Sequence, residues 1–126
     1  MKPNKISLGK YGEELACEFL KNKNYQILKR NYRTRFGEID IIAKRDDILV
    51  FVEVKTKTGG EFGQPEEMVG KNKQIKLEKL AQAYLLEQGL SPETENFRID
   101  IVSVMIKKDK IPEIKHLENA IQKDQN

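Results

Sequence analysis

The sequence predicts an α/β protein, a mixed central sheet flanked by helices with the element order αβββαββ. Apolar residues recur at helical spacing in two segments, about Ser7 to Asn22 and Lys71 to Gln88. Two runs dominated by β-branched residues, Glu38 to Ala43 and Ile48 to Lys55, flank an Asp46-Asp47 turn. A further run of this kind, Phe97 to Ile106, follows the second helical segment. Several strands adjacent in the chain, with a helix between them, give a mixed sheet covered by helices.

Taken in order, the first helix carries Leu8, Tyr11, Leu15, Ala16 and Phe19 on one side, with Ser7 as its N-cap. A strand from about Tyr25 to Arg33 follows, then the two β-branched runs. Thr58 to Pro65, rich in glycine, reads as a loop. The second helix places Leu77, Leu80, Ala81 and Tyr84 on one side, and Gly89 is its expected C-cap. After the strand from Phe97 to Ile106, a short strand near Ile114 and a helical tail from about Leu117 complete the order. With no internal repeat and no linker before the last ten residues, residues 1–120 are expected to form one domain and residues 121–126 a polar tail.

At 126 residues, 38% hydrophobic and 34% charged, the chain suits one soluble domain with a hydrophobic core. No apolar run reaches the length of a membrane span. Met1 to Lys5 leads into a polar stretch without the apolar core of a signal peptide. The lone Cys17 can form no internal disulfide. A cytoplasmic location is therefore expected. One cysteine and one histidine, His116, exclude a zinc site of the structural type. A metal would be held by carboxylates and carbonyls, which suits magnesium or manganese. The net charge of +3 is compatible with nucleic acid without demanding it.

Chemistry concentrates at the Asp46-Asp47 hairpin. On the run from Ile48 to Lys55, Glu53 and Lys55 share a face with Leu49 and Phe51, while Val50, Val52 and Val54 take the other. Both faces are apolar, so this is a central strand, and its two charged residues need partners. If Asp46-Asp47 is a two-residue loop, Arg45 faces Ile48, and counting outward sets Asp40 opposite Glu53. A symmetric four-residue loop gives the same register; a three-residue loop breaks it. Opposed side chains on one face stand about 5 Å apart at Cβ. Two carboxylates so placed repel unless a cation lies between them, and a divalent ion is the natural candidate. Lys55 would stand beside it, to polarise a phosphate or steady developing charge. Without that register, Glu53-Val54-Lys55 is a weak motif, of the kind that often decorates a strand end.

Other residues carry lesser signals. Glu13 sits at the edge of the first helix's apolar stripe, where it could reach a site or face solvent. Gly9 and Gly12 lower helix propensity at the helix start, where they could let the helix pass close to a strand or a phosphate or simply loosen its end. Lys29, Arg33 and Arg35 share one strand face and Arg30 shares the other with Tyr32; this suits nucleic-acid contact, and equally a charged edge strand. Lys73, one turn before Leu77, points toward the sheet, where it could meet a nucleic-acid backbone. Gln64, after the glycine-rich loop, could touch substrate. Asp100 is expected to pair with a nearby cation such as Arg98, and His116 is expected to stand alone, with no catalytic role.

Gly37-Glu38-Ile39-Asp40-Ile41-Ile42-Ala43 followed by Val50-Phe51-Val52-Glu53-Val54-Lys55-Thr56-Lys57 resembles the core of PD-(D/E)XK nucleases. More narrowly, with Gly9-Lys10-Tyr11-Gly12-Glu13, Asn31-Tyr32-Arg33, Phe62-Gly63-Gln64-Pro65 and Arg98-Ile99-Asp100-Ile101-Val102, the chain resembles the YraN family of bacterial proteins, which are similar to archaeal Holliday-junction resolvases. The likeness runs from Gly9 to about Ala120. It implies a restriction-endonuclease-like fold, metal binding by Asp40 and Glu53, Lys55 as the core lysine and Glu13 near the metal. Ile39 stands where the motif's name has proline, a position that varies widely among such nucleases.

The expectation is a magnesium- or manganese-dependent endonuclease, with Asp40 and Glu53 holding the ion, Lys55 stabilising charge and Glu13 assisting. Its partner is nucleic acid, expected to be DNA, branched or partly single-stranded forms included, with Arg33, Arg35, Gln64 and Lys73 as contacts. Self-association into a homodimer is left open, and no membrane is involved. The rival is a nuclease fold that binds nucleic acid or a protein without cutting. A small-nucleotide phosphoesterase lacks support, because no phosphate-cradling glycine loop precedes a helix.

Overall fold

The computed structural model describes residues 7–59 and 70–121. Its elements are α1 (Leu8–Asn22), β1 (Gln26–Thr34), β2 (Gly37–Arg45), β3 (Ile48–Thr58), α2 (Lys71–Glu87), β4 (Phe97–Ile106) and β5 (Glu113–Leu117), in the expected order. Gln64 and residues 60–65 of the expected loop lie outside the described residues, as do residues 122–126.

The strands form one five-stranded sheet in chain order. β1 pairs antiparallel with β2, and β2 with β3. β3 pairs parallel with β4, and β4 antiparallel with β5. A parallel pair requires a long crossover, and α2 lies within it. The β2–β3 loop has two residues: Arg45 pairs with Ile48, and Asp46 takes a φ of +54°, the left-handed turn geometry that aspartate tolerates.

Alternation along β3 sorts the core into two layers. Val50, Val52 and Val54 pack with Ala16, Cys17 and Leu20 of α1. Leu49 and Phe51 pack with Leu77, Leu80, Ala81, Tyr84 and Leu85 of α2. β3 is thus buried on both faces, as its composition requires. Each large side chain so buried contributes about 1.5–3 kcal/mol. Ser7 caps α1 by accepting from the Lys10 N–H at 3.2 Å. Gly89, at φ +74°, ends α2 one residue beyond the cap; Gly89 N–H donates to Leu86 at 3.0 Å and Leu90 N–H to Leu85 at 2.8 Å, the paired bonds of a left-handed helix stop. No described helix is long and apolar enough to cross a membrane.

Two expectations are corrected. No helix starts at Leu117, which ends β5; residues 118–121 form a turn and a bend. Asn119 takes a left-handed φ of +52°. Its N–H donates to Asp100 at 2.8 Å and Ala120 N–H donates to Ile99 at 2.8 Å, so these donors tie the chain to β4. Nor does His116 stand alone. Its Nε2 lies 2.7 Å from Asp100 Oδ2 and its Nδ1 lies 3.1 Å from Lys23 Nζ, with Phe19 and Tyr25 edge-on to the ring. Asp100, fully buried, also accepts from Arg98 at 3.1 Å as expected, and Arg98 reaches the Tyr25 hydroxyl.

Candidate active site at a strand fork

The period-two alternation of a strand fails on β1 at the register shift between Ile27 and Lys29 and again at Asn31, and on β2 at Asp40. On β1, Arg30 turns to the α1 side and bonds Glu14 at 2.7 Å. Tyr32 turns to the α2 side, 5.3 Å from the Tyr84 ring. Residues two apart on a regular strand share a face, and these were expected to. Asn31 between them takes a left-handed φ of +53°, which redirects the chain. On β2, Ile39 packs in the α2 layer and Ile41 in the α1 layer, with Asp40 between. Arg30 pairs with Ile41 and Tyr32 with Ile39, so Asn31 and Asp40 meet at the irregularity.

The β2–β3 ladder follows the register inferred from the hairpin, but it ends at Ile41↔Val52, one pair short of Asp40 and Glu53. Beyond that pair, β3 continues beside β4 to Thr58↔Ile106. Asp40 fills the fork: its Oδ2 accepts from the Val54 N–H at 2.8 Å, in place of a backbone carbonyl. Its carboxylate therefore lies at the level of the sheet. The ladder contains no Asp40–Glu53 pair, so the backbone pairing of the sequence reading stops one step before them.

Around Asp40 stand carboxylates from three other positions. Glu13 on α1 and Glu38 on β2 each bring an oxygen within 4.8 Å of one another and of Asp40. α1 can approach because residue 12 is glycine: a Cβ there would lie 1.9 Å from Thr56 Oγ1. With its nitrogen turned inward, the Asn31 amide donates to Glu38 at 2.8 Å and to Glu13 at 3.2 Å. Glu53 belongs to the α2 side by its alternation with Phe51 and lies outside that trio. It is only 6% exposed, and its Oε2 has no hydrogen-bond partner among the described residues. The nearest cation is Lys73 Nζ, at 3.9 Å.

Glu53, Asp40 and Glu13 are held against ionisation. Burial, then the Asp40 charge, pushes Glu53 up to about 7, with Lys73 and then Lys55 pulling it down. Burial raises Asp40 above the usual carboxylate range, against the Val54 N–H. Glu13 is raised by burial and then by Asp40. Burial and the proximity of like charges thus both oppose ionisation of these groups.

Of the expected site residues, the fold brings Asp40, Glu13, Glu53 and Lys73 together, with half-buried Lys55 two residues beyond Glu53 on the same strand. Arg33 is engaged by Glu38 at 3.1 Å, and Arg35 lies at the β1–β2 turn, over the Phe36 ring. Glu38 and Asn31 were missed. Glu38 shares β2 with Asp40, but strand alternation does not predict that they meet, because that alternation fails at Asp40. The left-handed turn of Asn31 inside a strand left no sequence signal.

The fold and site define an α/β protein with an acidic cluster at a strand fork. The model of the uncharacterised protein family UPF0102 matches residues 12–104. A UPF0102 protein of Alkaliphilus oremlandii is 48% identical over 113 residues, 90% of this chain and 96% of that one. One from Dictyoglomus thermophilum is 39% identical over 118 residues, covering 93% and 98%. One from Thermodesulfovibrio yellowstonii is 44% identical over 116 residues, covering 92% and 96%. The chain belongs to the UPF0102 family, the YraN family that its motifs resemble.

Proposed function

We propose that the protein is a magnesium- or manganese-dependent nuclease that hydrolyses DNA phosphodiesters at the β2–β3 fork. The observation that carries this reading is Glu53: a buried carboxyl with an oxygen that no described donor satisfies, beside Asp40 and the Glu13–Glu38 pair. An unsatisfied buried carboxylate is costly, and a hard divalent cation answers it with the oxygen ligands such ions prefer. Asp40, Glu53, Glu13 and Glu38 would hold the ion, which when bound supplies Lewis acidity at the phosphodiester and a more acidic water.

The chain's own groups do the rest. Lys55, on the strand beside Glu53, steadies charge that develops on the phosphate. Lys73 compensates Glu53 and draws the polyanion to the fork. Asn31 holds Glu13 and Glu38 in place.

The test is a set of linear, flapped and four-way DNA and RNA substrates with magnesium or manganese. Wild type, Asp40→Asn and Glu53→Gln are compared for cleavage and for thermal melting with and without manganese. The expected result is metal-dependent cleavage by wild type alone, and a manganese-induced rise in Tm that both variants lose while staying folded. Full cleavage by both variants overturns the reading, and a wild type that binds DNA but neither cuts nor binds manganese is a binding module.

A further inference from the structure

A groove of about 730 Å³ lies between the β1–β2 turn and the outer side of α2, within the range of small-ligand clefts. Its floor is apolar, formed by Ile75, Leu80 and Phe36. Arg35, Lys76 and Lys79 rim it, and no acidic residue lines it. None of these three cations is in an ion pair among the described residues. Phe36 is 64% exposed, and the Arg35 guanidinium stacks over its ring at 4.8 Å. Asn72, at the same groove, offers an amide.

The groove adjoins the fork. Gly37 follows Phe36 and precedes Glu38, and a Cβ at Gly37 would lie 3.1 Å from the Lys76 side chain and 3.2 Å from that of Leu80. Along α2, Lys73 reaches Glu53, and Lys76 and Lys79 follow at successive turns, about 9 Å of helix from first to last. A row of cations thus leads from the buried carboxylate to an exposed aromatic ring.

We propose that this groove holds an unpaired nucleotide of a single strand, with its base stacked on Phe36 and its phosphates on Arg35, Lys76 and Lys79. Charge complementarity selects a polyanion. The exposed ring with its stacked guanidinium selects one that carries flat bases, since aromatic platforms in basic grooves bind single strands without sequence preference. In a duplex the base faces are stacked on their neighbours and cannot occupy the ring. The proposal rests on the nuclease reading for why a strand runs to the fork, and it specifies a substrate with an unpaired segment next to the cut.

The test measures binding without added metal, so that it is independent of cleavage. Fluorescently labelled oligodeoxythymidylate and a blunt duplex of equal length are titrated with wild type, Phe36→Ala and the Arg35→Ala/Lys79→Ala double variant. Phe36 is mostly exposed, so its truncation leaves the fold intact, which a thermal melt checks. Phe36→Ala is expected to weaken single-strand binding by roughly 5- to 150-fold, the loss of one base–aromatic stack, and to leave duplex binding unchanged. The double variant is expected to lower the salt slope for the single strand by about 1.4, two counterions' worth. Equal single-strand affinity for wild type and Phe36→Ala overturns the proposal. So does displacement by a polyglutamate peptide at the same charge concentration, which marks a general anion surface or a protein-docking site. A protein that cuts blunt duplex but shows no Phe36 effect keeps the nuclease reading and loses this one; a protein that never cuts but loses single-strand affinity in Phe36→Ala does the reverse.

Discussion

Glu53 concentrates the energetics of the site in one side chain. Its carboxyl is raised in the folded state to about 7, above an ordinary value of 4.5. The folded state therefore binds a proton that the unfolded state has released. The stability this contributes is full below pH 4.5 and is lost as pH rises to about 7. Metal-free protein should accordingly lose Tm across that window, and Glu53→Gln should flatten the loss; an unchanged slope in the variant would place the titration elsewhere. Manganese must displace the same proton, so its affinity should rise with pH over the same range. Lys73 is the first cation to oppose the shift and Lys55 the second. Lys73→Ala should therefore move the midpoint of manganese binding to higher pH, and by more than Lys55→Ala. Lys55→Ala should instead lower single-turnover cleavage by ~10²-fold or more, the scale for losing one electrostatic group at the reacting phosphate. If it lowers only affinity, Lys55 is a phosphate anchor.

Two elements have to come unusually close for the cluster to exist. α1 presents Glu13 only because Gly12 lets its backbone lie against Thr56 of β3. Gly12→Ala forces a clash that should cost about 1–3 kcal/mol and disturb manganese binding by moving Glu13. Adding Thr56→Ala should recover part of both losses, and a coupling energy of zero in the double-mutant cycle would disprove the close approach. On the facing side, the β1–β2 irregularity makes a paired prediction at Asn31. Asn31→Gly keeps the left-handed backbone and loses only the donors to Glu13 and Glu38, so Tm should hold while metal affinity falls. Asn31→Ala should lower Tm as well, through a loss of about 1–2 kcal/mol of stability, the steric cost of a Cβ in that conformation.

Across the whole molecule, the Asp100 network links parts of the chain that are far apart in sequence. Asp100 gathers Arg98, His116 and the Asn119 N–H, and His116 reaches Lys23 just past α1. Removing the buried carboxylate leaves Arg98 and the other donors unpaired. Asp100→Ala should destabilise by about 3–5 kcal/mol, read as a shift in denaturant midpoint. Manganese affinity of the folded variant should be preserved, because the network does not touch the fork. A loss of manganese affinity without a loss of stability would tie Asp100 to the site.

Elements, their order and the hairpin register were legible in the sequence, because each depends on neighbours along the chain. Apolar periodicity marked α1 and α2, β-branched runs marked β2, β3 and β4, and Asp46-Asp47 set the pairing up to Ile41↔Val52. Asp40, Glu53 and Lys55 stood out for the same reason: charge on strands otherwise buried on both faces demands a partner. What the sequence could not carry was where the ladder stops. That was decided by the left-handed turn at Asn31, the side-chain bond from Asp40 to the Val54 N–H, and the approach of α1 over Gly12. These bring Glu38 and Asn31 into the cluster and set Lys73 beside Glu53. The same holds for His116, whose partners lie at the end of α1 and on β4, and for the tail after Leu117, drawn back to β4. Each is a contact between residues distant in the chain, chosen by which packing leaves the fewest buried polar groups unpaired, and no local pattern records that choice.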